Sequence, residues 1–259
     1  MKRAGMKVVA LVAGVLLGGA AAAADDPAWT LYASGRYAEA EAAGEARGDA
    51  GGLSLAARAN LALAAMRDGG CLDCLEHAER EARQAIARDP KYADAQVLLA
   101  TALGYEGRIR GPIAARLNDY PGQAKTALDA ALAADPRNCW ALAGLGGWHI
   151  EVARAGGKHL AQWLYGASFE EGMRYFDRAF ACAPGNLVFR YQYALSLSAY
   201  DLDRHRAGIA DALKRARDLK PATAYETFAQ ARARELLALL GTGDDRAYLA
   251  RVRRDQGYP

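Results

Sequence analysis

The chain has 259 residues, 52% of them hydrophobic and only 8% aromatic, with 33 Lys+Arg against 30 Asp+Glu. That length holds one or two domains with an ample core. An alanine-rich, aromatic-poor mix suits closely packed helices and argues against sheets. The slight basic excess gives no bulk reason to expect nucleic acid or an anionic membrane as partner, for a reason found at the N-terminus.

Lys2, Arg3 and Lys7 are followed by the apolar run VVALVAGVLLGGA, by alanines up to Ala24, and by Asp25-Asp26. This pattern predicts a secretory signal peptide over residues 1–24 with an A-x-A cleavage site. The run is short for a membrane span and is interrupted by Gly14, Gly18 and Gly19, so an uncleaved anchor is the alternative reading. The first cysteine is Cys71, so none stands at the cleavage site to take a lipid. Without the three leader cations, the 33 basic residues become 30 and equal the acidic ones. Residues 25–259 are therefore expected to form one helical domain. It would be exported to the periplasm, with no stable membrane insertion and no nucleic-acid partner.

The first hairpin reads PAWTLYASGRYAEAEAAGEA, and a glycine-rich break at 48–52 precedes LSLAARANLALAAM and then GGCLDCLEH. From there prolines punctuate similar alanine-rich segments, which end at Pro90, Pro136, Pro184 and Pro221. Each segment carries apolar residues at helical spacing, such as Ala124, Ala127, Leu128 and Ala131, or Phe169, Met173, Phe176 and Phe180. Each proline stops one helix, and another helical pattern follows it. The C-terminal DDRAYLARVRRD reads as a short capping helix with a solvated arginine face.

These segments resemble the tetratricopeptide repeat, a helix–turn–helix unit. Leu145-Gly146 fit a first helix; Gly35, Tyr37 and Ala40 fit a turn and second-helix start. Ala85-Ile86, Ala131-Leu132 and Ala179-Phe180, each just before a proline, fit the end of a second helix. The resemblance implies an all-α, right-handed solenoid of antiparallel hairpins with a C-terminal capping helix. The proline spacings are 46, 48 and 37 residues. Against a period of about 34, two consecutive hairpins carry insertions of about 12 and 14 residues. They fall near 105–120 and 155–167.

A narrower resemblance lies in LGGWHIEVA, with Trp148, Glu151, Val152 and Ala153, followed by Lys158 and Leu164. This stretch is similar to the helical domain of the regulator of microtubule dynamics family over roughly residues 75–240. It implies a helical fold and an interaction role. An exported protein meets no microtubules, so that activity does not carry over.

Four cysteines offer chemistry. Cys71 and Cys74 form a C-x-x-C pair; a small disulfide at a helix start is the main reading in an oxidising compartment. A redox role, or a zinc site completed by His77, is the alternative, although no strand precedes the pair and no fourth ligand is evident. Cys139 begins one helix of the central hairpin and Cys182 ends the other. Antiparallel packing sets those ends side by side, which predicts a disulfide across the insertion. Two buried small residues are the other reading.

His149 and Glu151 stand two residues apart and so point to different faces of a helix. No nucleophile, second carboxylate or metal set completes a site with them. A hydrogen-bonded histidine and a Glu151–Arg154 pair are the expected roles, and neither catalysis nor a cofactor is expected. Arg108, Arg110 and Arg116 make the first insertion basic. If Arg154 and Lys158 lie beside them, with Trp148, His149 and Glu151, the two insertions build one basic, aromatic-walled pocket. Arginine's bidentate fork would suit a protein or peptide segment, or a small anionic ligand.

Overall fold

The structure is a computed structural model and describes residues 26–68 and 70–258. The signal-peptide reading of 1–24 lies outside these residues, as does the Lys158 side chain. Among the described residues there are eleven helices and no strand. They are α1 Pro27–Ala33, α2 Tyr37–Arg47, α3 Ala50–Met66, α4 Leu72–Arg88, α5 Ala93–Leu117 and α6 Tyr120–Ala134. Then come α7 Cys139–Tyr165, α8 Phe169–Cys182, α9 Leu187–Asp218, α10 Ala224–Thr242 and α11 Asp245–Asp255.

Local sequence explains their ends. Asp26, Asp49, Asn138, Ser168, Asn186, Thr223 and Asp244 each cap an N-terminus by accepting a backbone N–H. Such a cap satisfies one of the donors a helix start leaves free. Pro90, Pro136, Pro184 and Pro221 all fall in the gaps between helices, as expected of residues that cannot continue one.

Each helix packs against the next in sequence, and the odd-numbered helices also contact one another in succession from α1 to α11. The even-numbered helices lie against this row. α10 further touches α1 and α3, so the last part of the chain reaches the first. Most of the apolar interior lies in two clusters. One joins α3 to α8 around Leu98, Leu103, Leu128 and Leu145. The other joins α7 to α11 around Ile150, Phe176, Leu195, Ile209, Leu213 and Tyr248.

The segments near 105–120 and 155–167 continue α5 and α7 beyond a kink: α5 breaks at Gly111 (φ 85°, ψ 170°) and α7 at Gly157 (φ 70°, ψ 162°). These angles belong to a region that only glycine occupies without strain. The segments beyond the kinks expose Ile113, Leu117, Leu160, Trp163 and Leu164. α9 also breaks, at Asp201 in extended backbone (φ −163°, ψ 95°), whose carboxylate caps the second half by accepting the Arg204 N–H at 3.0 Å.

The C-terminal helix departs from the sequence reading. Arg253 and Arg254 are exposed, but Tyr248, Arg251, Val252 and Asp255 are buried. Arg251 reaches Asp68, beyond the end of α3, at 2.7 Å, and Asp255 at 2.6 Å. The helix is a tertiary clasp, because Arg251 and Asp68 stand 183 positions apart along the chain.

Candidate functional site

Cys139 and Cys182 lie at disulfide distance, with Cα atoms 5.6 Å apart, joining the start of α7 to the end of α8. Cys71 and Cys74 also pair, at a Cα separation of 5.3 Å. Cys71 is the N-cap of α4; its sulfur accepts the Cys74 N–H at 3.2 Å and lies 3.5 Å from an Arg67 guanidinium nitrogen.

α7 sends its polar residues to two sides, as the two-residue spacing predicts. On one side Glu151 meets Arg154 at 2.7 Å and Arg108 of α5 at 3.9 Å. The Tyr258 hydroxyl bonds to Glu151 and accepts from Arg154 at 2.6 Å. Arg108 also donates to the Gln256 carbonyl at 3.4 Å. Burial raises the Glu151 pKa, but Arg108, Arg154 and the Tyr258 hydroxyl outweigh it and hold the carboxyl down to about 2. The hydrogen bond to Glu151 in turn raises Arg154 above the usual arginine value. Two guanidinium groups, one carboxylate and one phenol thus share a charge-paired cluster at the chain's C-terminal end.

On the other side His149 is buried, stacked on Tyr175 with ring centroids 5.4 Å apart. Its Nδ1 accepts the Ser168 N–H at 3.4 Å. Burial, then Lys125, lowers its pKa to about 4, so the ring stays neutral near pH 7. It lies on the floor of an open cleft of about 580 Å³, lined also by Lys125, Tyr165, Glu171, Arg174 and Tyr175. Trp148 is a core side chain whose indole N–H donates to the Pro121 carbonyl at 2.9 Å.

The single basic pocket expected from sequence is therefore divided. Arg108 and Arg154 meet over Glu151. Arg110 turns toward α4, where it pairs with Glu76, and it also pairs at 3.4 Å with the buried Glu106 one turn earlier on α5. Arg116 is exposed on the segment beyond the Gly111 kink. The sequence reading missed Tyr258 and Gln256, because only the tertiary fold brings residues more than a hundred positions away onto α5 and α7.

Fold and site together define an all-helical protein whose long central helices carry a charge cluster on one side and a histidine cleft on the other. The chain belongs to the regulator of microtubule dynamics family: the model for "Regulator of microtubule dynamics protein 1-3" matches residues 41–241. No curated protein matches the chain. Among the described residues no helix is long and apolar enough to cross a membrane.

Proposed function

We propose that this is an exported, periplasmic interaction or scaffold protein, its signal peptide spanning 1–24 and its helical-repeat domain 25–259. In this reading the odd-numbered helices line the concave groove of a tetratricopeptide-like, right-handed solenoid. The groove binds a peptide, a protein segment or a small anionic ligand without chemical turnover. The observation that carries it is the Arg108–Glu151–Arg154 cluster, which already holds the turn that ends α11, through the chain's own Gln256 and Tyr258. Preformed forks that donate to a backbone carbonyl and a phenol oxygen in cis are suited to doing so in trans.

The test uses a labelled peptide copying Arg253–Pro259 and a chain ending at Gln256. Fluorescence anisotropy should show saturable binding to the shortened chain and weaker binding to the intact one. Arg108→Ala with Arg154→Ala should remove it. Failure of the shortened chain to bind the peptide rejects the groove reading.

A second reading is favoured by Cys71, which sits at a helix N-terminus beside Arg67. That setting stabilises a thiolate, so the pair fits a redox accessory role. Cys71→Ala with Cys74→Ala should leave peptide binding intact and abolish any thiol–disulfide exchange activity.

A further inference from the structure

His77 and Glu81 stand one turn apart on α4, and Glu41 of α2 faces both. One ligand atom from each of the three lies within 4.8 Å of the other two. His77 Nδ1 is 3.3 Å from Glu41 Oε1. The buried Asn60 of α3 spans the two carboxyls: its amide donates to Glu41 Oε1 at 2.8 Å and to the Glu81 oxygens at 3.2 and 3.3 Å.

Glu81 is the informative member. It is 2% exposed, yet no cationic side chain among the described residues forms an ion pair with it, and its protein donor is that one shared amide. Buried carboxylates are ordinarily paired with a cation or bound to a metal. Glu41 stands beside it, so the surroundings add a second carboxyl to a group already short of a counter-charge.

We propose that Glu41, His77 and Glu81 form a binding site for a divalent transition cation of the zinc type. Two carboxylate oxygens and an imidazole nitrogen are a donor set such cations take, with water at the remaining position. Ligand bonds of about 2.1 Å place tetrahedral ligand atoms about 3.4 Å apart. The His77–Glu41 pair is already at that spacing. His77 and Glu41, with side chains 48% and 21% exposed, are able to close on the buried Glu81. Asn60 acts as the outer partner that orients both carboxylates, as metal ligands generally require. The i, i+4 placement of His77 and Glu81 puts both on one helix face without backbone change. Charged ligands explain why a buried carboxyl would stand among others: each raises affinity for a doubly positive ion.

The experiment is calorimetric titration of zinc into chelator-treated, otherwise intact chain near neutral pH, with melting temperature as a second readout. The expected result is one zinc per chain and a melting temperature raised by zinc. His77→Ala, an exposed-side substitution that leaves the fold in place, should weaken binding roughly tenfold or more. Glu41→Gln should weaken it likewise, and calcium should not substitute, since the nitrogen ligand disfavours a hard cation. Absence of stoichiometric zinc binding, or undiminished affinity in His77→Ala, overturns the proposal. The second result would place the ion at another of the four histidines.

Discussion

Glu151 and His149 are neighbours whose environments push them in opposite chemical directions. Glu151 stays ionised because Arg108, Arg154 and Tyr258 outweigh the cost of its burial, so its folded pKa of about 2 lies below the ordinary 4.5. A depressed carboxyl contributes stability that is fully present above the unfolded value and is lost as pH falls through the folded one. Its window runs from about 4.5 down to about 2. Glu151→Gln leaves two guanidinium groups without their shared anion, and should cost about 3 kcal/mol by urea titration near neutral pH.

His149 is also depressed, from 6.5 to about 4, and is faced by Lys125 and Asp129 of α6 and by Glu171 and Arg174 of α8. The unfolded histidine takes up a proton first, so stability falls as pH drops from about 6.5 to about 4. The loss attributable to this one ring is at most about 3 kcal/mol. His149→Phe, which keeps the stack on Tyr175, should flatten that part of the curve relative to the unaltered chain. Denaturant midpoints measured across the window would show it, and parallel curves would refute it. Spacing alone revealed that these two side chains diverge. It also pointed to Arg154 as a partner of Glu151, but not to Ser168 or Tyr258, which lie elsewhere in the chain.

At the scale of elements, the sequence was most legible where local chemistry decides. Prolines and capping residues set the helix limits, and the spacing of Cys139 and Cys182 foretold a pairing between helix ends. The longer proline spacings drew attention to the segments near 105–120 and 155–167, but not to their form. PIAARL after Gly111 and KHLAQWLY after Gly157 are helical patterns, and only the backbone shows that one glycine in each bends the helix aside. Gly111 and Gly157 have open space where a Cβ would stand, so substitution there tests conformation alone. Gly111→Ala and Gly157→Ala should each cost about 1–3 kcal/mol. Gly147→Ala, inside α7 at negative φ and equally unobstructed, should instead gain up to about 1 kcal/mol from helix propensity. Thermal melts of the three variants check the contrast. An equal loss in all three would mean that packing, and not the kinks, governs these positions.

The whole molecule is organised by contacts that no local pattern encodes. α10 reaches α1 and α3, Arg251 reaches Asp68, and the residues after α11 reach α5 and α7. Read locally, the last helix is an amphipathic cap; read in place, it carries a tail into the charge cluster proposed as the binding groove. A tail held in cis competes with any segment offered in trans, and the apparent affinity falls by the fraction of molecules with the groove free. Gly257 allows that competition to be tested without altering a groove residue. Its φ is +80°, and an added Cβ would lie 2.8 Å from the Tyr105 ring. Gly257→Ala is therefore strained in backbone and obstructed in space, both of which disfavour the docked tail. The expected outcome is faster hydrogen exchange at 256–258 and tighter binding of the Arg253–Pro259 peptide, with the melting temperature lowered only modestly because α11 keeps its Arg251–Asp68 and Tyr248–Ser198 contacts. Faster exchange with no gain in peptide affinity would show that the tail closes the fold without guarding a groove. The cluster would then be a structural lock.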